Sequence, residues 1–225
     1  MNKFLLLIVS LFFAACSSDE TTGISLSSSA QALADYDGTN YGLYKGIFVG
    51  SSGVVEINIM NDGELSAMML IDNRRYNFST AESVVAGQDI NGLTFVSGNN
   101  SFDFNVSATG QNPQLSNINI PDHPDAVTEV VKEYSYQHIK CFQGNFSGAS
   151  SGVFNMIQLG EDFQGIARTD GTTETRWISA QFVGETLQGA FEGGTFSGTL
   201  SGNTFSGTWN SDESESGTWT ARRKL

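Results

Sequence analysis

Phe196-Ser197-Gly198-Thr199-Leu200, Phe205-Ser206-Gly207-Thr208-Trp209 and Gly217-Thr218-Trp219-Thr220 are three versions of one short pattern, separated by turn residues. In an extended chain successive side chains point to opposite faces, so Phe196, Gly198 and Leu200 share one face while Ser197 and Thr199 share the other. Phe205, Gly207 and Trp209 repeat the arrangement. A glycine inside a strand costs backbone entropy and packs nothing itself. Between large side chains it leaves room for an aromatic ring from a neighbouring strand to lie across the backbone. Three copies, with turns near Ser201-Gly202-Asn203 and Asn210-Ser211-Asp212, predict a tightly curved antiparallel meander.

The period of two extends upstream. Val55, Ile57 and Ile59 alternate with Glu56 and Asn58, Asn61-Asp62-Gly63 forms a hairpin turn, and Leu65 to Ile71 returns as the partner strand. Tyr76 and Phe78 mark another strand, and Leu93 and Phe95 the next, after a turn at Asn91-Gly92. Phe102, Phe104 and Val106, then Ile118 and Ile120, alternate with Asp and Asn. One wet face per strand implies antiparallel sheets.

One segment departs from this. Val127, Val130, Val131 and Tyr134 fall at i, i+3, i+4 and i+7 behind Pro121-Asp122-His123-Pro124-Asp125. That stripe predicts a short amphipathic helix over 124–135. It would lie in a linker, 121–137, between β unit 1 (41–120) and β unit 2 (138–225).

The two units look related. Tyr44-Lys45-Gly46-Ile47-Phe48-Val49-Gly50 resembles Phe142-Gln143-Gly144-Asn145-Phe146-Ser147-Gly148, an offset of 98 residues. Ser52-Gly53-Val54-Val55 then matches Ser151-Gly152-Val153-Phe154, and Glu64-Leu65-Ser66-Ala67 matches Asp162-Phe163-Gln164-Gly165. Farther on, Arg75-Tyr76 and Arg176-Trp177 correspond after a small insertion. The expected fold class is therefore all-β: an antiparallel meander barrel or sandwich in two related units joined by the helix. Each unit forms its own barrel or sandwich of about six strands, or the halves close together into one barrel of about a dozen.

Composition narrows the partners. The formal net charge is −13, and only 16% of the residues are charged, so Ser, Thr, Asn and Gly carry much of the polar surface. An acidic surface repels nucleic acid and anionic headgroups, and no nucleic-acid partner is expected.

Candidate chemistry is sparse. Asp122, His123 and Asp125 sit together, but a metal site needs three or four convergent ligands, and a helix start explains the same residues. Asp212, Glu213 and Glu215 lack the spacing of a calcium loop and read as a solvated turn. Cys141 reads as a buried structural thiol, although His138 lies three residues away. Arg74, Arg75 and Arg176 stand out in an acidic chain as clamps for an anion or, more simply, as cross-strand partners of acids. No nucleophile elbow, phosphate loop or His-Glu-x-x-His run is present. No catalytic residue, metal or cofactor is assigned.

The N-terminus supplies an address. Lys3 precedes an apolar run from Phe4 to Phe13, too short to cross a hydrocarbon core of about 30 Å, and Ala14-Ala15-Cys16 follows. Phe13-Ala14-Ala15-Cys16 resembles the lipobox of bacterial lipoproteins. The resemblance implies a signal peptide over 1–15, acylation of the Cys16 thiol as the lipid attachment site, and a membrane partner through two or three fatty chains. Ser17-Ser18-Asp19-Glu20 is similar to the surface-export signal of lipoproteins in Bacteroidota, which implies an outer-membrane protein exposed at the cell surface. Residues 16–40, rich in Ser and Thr, read as a flexible tether. The Gly-aromatic hairpins are loosely similar to small β-barrels of other surface lipoproteins, including ones that capture ligands. The expected function is that of a lipid-anchored envelope protein presenting a β-rich recognition or assembly domain without catalysis, for a carbohydrate or protein ligand. The alternatives are a cell-surface hydrolase with a carboxylate pair and a purely structural envelope component.

Overall fold

The computed structural model describes residues 26–225. Cys16, the signal segment and the first part of the tether lie outside these residues. The rest is all-β, two units of eight strands each.

The first unit comprises β1 (Gly42–Val49), β2 (Gly53–Ile59), β3 (Leu65–Ile71), β4 (Arg74–Ser79), β5 (Ile90–Ser97), β6 (Asn100–Val106), β7 (Gln114–Asn119) and β8 (Val127–Glu133). The second comprises β9 (Ile139–Gly148), β10 (Gly152–Leu159), β11 (Asp162–Thr169), β12 (Arg176–Val183), β13 (Thr186–Phe191), β14 (Gly194–Ser201), β15 (Thr204–Ser211) and β16 (Ser216–Arg223). Both are up-and-down meanders in which the first strand also pairs with the last: β1 with β8, and β9 with β16. The second unit closes completely. The first runs β7-β6-β5-β4-β3-β2-β1-β8 and is nearly closed, with β7 lying against β8 without a ladder.

The duplication holds strand for strand. Tyr44 and Phe142 are buried at matching positions of β1 and β9. Phe48 faces Gly53 across the first hairpin, and Phe146 faces Gly152 in the same way. In each pair the ring lies where a glycine Cβ would stand. The correspondence of Arg75-Tyr76 with Arg176-Trp177 is off by one. Tyr76 packs inward, whereas Trp177 is exposed and Arg176 has the inward register; Arg176 pairs with Ala167 as Tyr76 pairs with Met69, so Arg176 matches Tyr76.

The expected helix over 124–135 is strand β8, paired along its length with β1. Both faces of β8 are covered. Val130 points into the first core, while Val127 and Val131 pack toward the second unit. A strand buried on both sides gives an apolar spacing that periodicity alone does not separate from a helix. The β-branched Val and Thr residues then favour the extended form. β8 thus belongs to unit 1 and not to a linker. Asn91-Gly92 likewise lies inside β5, where Gly92 (φ 79°) forms a bulge in the pairing with β6.

The tether reading fails from residue 26 onward. Gln31 N donates to Glu133 Oε1 at 2.7 Å, Leu33 N to Asn61 Oδ1 at 2.9 Å, and Arg223 Nη2 to the Ser27 carbonyl at 2.6 Å. A 3-10 turn at Ala34–Tyr36 follows. Lys132 Nζ fastens it by donating to the carbonyls of Tyr36 and Thr39.

The units pack side by side through the outward faces of their first strands. Ile47, Val54, Met68 and Leu70 meet Ile139, Cys141, Ile157, Ile166 and Leu225 in a third apolar core. A fully buried aliphatic side chain contributes about 1.5–3 kcal/mol, so this seam is a substantial part of the fold. Asn155, wholly buried on β10, reaches across it. Its Nδ2 donates to the Phe48 carbonyl, and its Oδ1 accepts from Ser52 Oγ at 3.3 Å and Gly144 N at 3.3 Å. Lys45 and Glu133 form a buried ion pair at 2.7 Å, and Glu133 also accepts from Ile139 N at 2.9 Å. With its carboxylate so satisfied, Glu133 links β1, β8, β9 and the N-terminal strap.

Candidate functional site

Along each strand of the second barrel alternate residues point inward, and the two ends of the barrel are filled differently. At one end Phe142, Phe163, Phe205 and Leu187 pack solidly. At the other end the interior is hollow. A cavity of about 110 Å³ opens there among the hairpin tips, lined by Phe146, Phe154, Phe196, Trp209 and Trp219.

The glycines set the position of these rings. Trp219 on β16 lies over β15 and reaches β14, passing Gly207 and Gly198, which are directly paired. A Cβ at Gly198 would strike the Trp219 ring and the Ser206 carbonyl. Phe154 and Phe196 meet Trp219 edge-to-face at 5.5 and 5.7 Å between centroids, and Phe146 meets Trp209 in the same manner at 6.2 Å. Both indole N–H groups are occupied: Trp209 Nε1 donates to the Ser147 carbonyl at 3.1 Å, and Trp219 Nε1 to the carbonyls of Thr208 and Ser197 at 3.1 and 3.2 Å. The aromatic wall therefore offers ring faces and edges, and polar specificity comes from the rim.

Three charged residues line the cavity: Arg168, whose guanidinium is tied to the Asp125 carbonyl and Thr175 Oγ1, and Arg176 and Glu215. Arg176 has the inward register at the start of β12, paired with Ala167, and lines the cavity. Among the described residues its guanidinium makes no side-chain hydrogen bond and has no carboxylate within 4.0 Å. The expected cross-strand acid is absent at that position. Glu215 stands in the β15–β16 hairpin, its backbone N held by Ser211 Oγ at 3.2 Å, and it is the carboxylate among the lining residues. Of the acidic turn read as solvated, this one residue borders the cavity. An arginine fork above an aromatic pocket is suited to a carboxylate or phosphate attached to a flat apolar body.

Other residues singled out from sequence lie elsewhere. His123 Nε2 sits 3.6 Å from Asp72 Oδ2, and among the described residues no group of three His, Cys, Asp or Glu side chains is placed to hold a metal. Cys141 is fully buried in the seam between the units, and burial pushes its thiol far up from the ordinary range. His138 meets Arg223 Nη2 at 3.2 Å, and burial, then the Arg223 charge, holds its pKa down. Arg74 lies over the Tyr76 ring at 5.7 Å, and Arg75 Nε donates to Asn77 at 3.0 Å. Tyr136 is the most exposed aromatic named here, 78% accessible and stacked on Tyr134. The aromatic wall itself was readable as inward residues of the Gly-aromatic repeats. The hollow was not, because it depends on which end of the barrel the small residues Ala167 and Thr169 occupy.

No protein-family model matches this chain, and no curated protein is significantly similar to it.

Proposed function

We propose that this chain is a lipid-anchored envelope protein whose second barrel is a binding module for a small planar ligand: a single aromatic or similarly flat ring carrying an acid group. The cavity beneath Arg176 carries the reading. Its volume, about 110 Å³, is of the order of the ~150 Å³ apolar cavity that accepts benzene. Its wall supplies rings for stacking and edge contact, and its rim supplies a guanidinium with no acid of its own. Glycoside hydrolysis uses two carboxylates, and among the described residues Glu215 is the single one at this cavity, which favours binding over hydrolysis. The Cys16 motif supports attachment by lipid, and the Ser17-Ser18-Asp19-Glu20 segment supports display on the outer face of the cell.

Two experiments test this. In calorimetric titration benzoate binds and neutral benzamide binds more weakly. Arg176→Gln weakens benzoate by roughly tenfold, as loss of one charge-assisted contact implies. Equal affinity for both compounds, or an unchanged Arg176→Gln variant, contradicts the assignment. Labelled palmitate enters the wild type and not Cys16→Ser; an unlabelled wild type removes the anchor.

A further inference from the structure

A second groove runs along the outer wall of barrel two, where β9 and β16 pass the hairpin tips of the first unit. Its volume is about 460 Å³ and its chemistry is the reverse of the cavity's. Among the described residues no aromatic side chain and no carboxylate lines it. Instead it presents Arg222 and Lys224, with Asn145, Thr220, Gln143 and, from the first unit, Asn73. The register explains the grouping. Arg222 is paired with Gln143, and Thr220 with Asn145, on the outward face. Lys224 Nζ reaches across the boundary to Asn73 Oδ1 at 3.0 Å.

Several of these groups are underused. Arg222 makes no side-chain hydrogen bond among the described residues, and no carboxylate lies within 4.0 Å of either cation. Two neighbouring cations without an acid stand out on a chain of net charge −13. Burial, and then the charge of Arg222, lowers the pKa of Lys224, the direction expected of cations facing each other. Asn145 accepts from Thr220 Oγ1 at 3.1 Å, which leaves its amide donors facing outward. Gln143 gives its Nε2 to Ser52, and its buried Oε1 receives no donor.

We infer that this inter-unit groove binds an acidic monosaccharide, a hexuronate, with its carboxylate between Arg222 and Lys224 and its hydroxyls on Asn145, Thr220 and Asn73. Amides and hydroxyls match sugar hydroxyls, the cations match the acid, and the absence of a ring platform disfavours a neutral sugar held by stacking. The ligand touches both units and so joins them.

The test is a titration of the whole chain, followed by amide NMR, with glucuronate, glucose, acetate and inorganic phosphate as separate arms. Glucuronate shifts the amides of β9 and β16 around Asn145 and Thr220 at millimolar concentration, and glucose, acetate and phosphate bind at least roughly tenfold more weakly. Lys224→Met and Arg222→Gln each weaken glucuronate by a similar factor while the thermal midpoint stays that of the wild type, since both side chains lie on the outside. Asn145→Leu weakens glucuronate and leaves phosphate unchanged. Phosphate or acetate binding as well as glucuronate reduces the groove to an anion site and overturns the proposal. No shift with glucuronate, or cation variants that bind it normally, does the same. Benzoate binding in the barrel mouth is read on different residues, so either site can fail alone.

Discussion

Gly198 shows how one missing side chain shapes the site. Trp219 passes over it, and any Cβ there meets the indole and the Ser206 carbonyl. Gly198→Val therefore overpacks the barrel and displaces the wall of the cavity. The expected cost is about 2–3 kcal/mol in denaturant unfolding, together with loss of benzoate binding. Glu129 is a case of the opposite kind, an acid that burial makes costly. It faces the seam on β8 with Oε2 buried and, among the described residues, without a partner, and burial raises its pKa above the ordinary 4.5. A group with a raised folded pKa contributes stability that is fully present below its unfolded pKa and is lost as pH rises through the folded one. Glu129→Gln keeps the neutral form at every pH. The variant is expected to match the wild type near pH 4 and exceed it at pH 7 in chemical denaturation; a variant less stable at pH 7 contradicts this.

The strands divide by how many of their faces are covered. Those with one wet face, such as β6 and the Gly-aromatic hairpins β14 to β16, announced themselves in the sequence through strict alternation. β8 did not, because Val130 on one face and Val127 and Val131 on the other are all apolar, and their sum imitates a helix. The repeat around Gly46 and Gly144 was legible because a fixed ring-over-glycine contact repeats at Phe48 and Phe146. The strand count was not, because β8 imitates a helix and β13 is a short element with little alternation of its own. Aromatic residues of the cavity were visible one by one, whereas their convergence with Arg176 required the register of β11 on β12. At this scale β10 is also the clasp between units, through Asn155. Asn155→Ala leaves the Phe48 carbonyl and Gly144 N–H without that partner in a buried seam. It should cost about 2 kcal/mol, measured by equilibrium unfolding.

As a whole the molecule is two copies of one meander packed differently: a first unit with a continuous apolar core, a second that is hollow at one end, and a shared apolar seam. Separation would expose Ile47, Val54 and Leu70 on one side and Ile157 and Ile166 on the other, so the units are expected to unfold together. The chain carries its own reporters, since all 3 Trp lie in the second unit and all 6 Tyr precede it. Tryptophan fluorescence and tyrosine absorbance should give coincident denaturation curves, and two separated midpoints would mean that the seam does not couple the units. The same tryptophans test the binding claim most directly. In an NMR titration with benzoate the indole N–H signals of Trp209 and Trp219 shift together and saturate, while that of Trp177, exposed on the outer wall of the same barrel, stays still. Movement of Trp177 alone, or of none of the three, would contradict a ligand site in the mouth of the barrel.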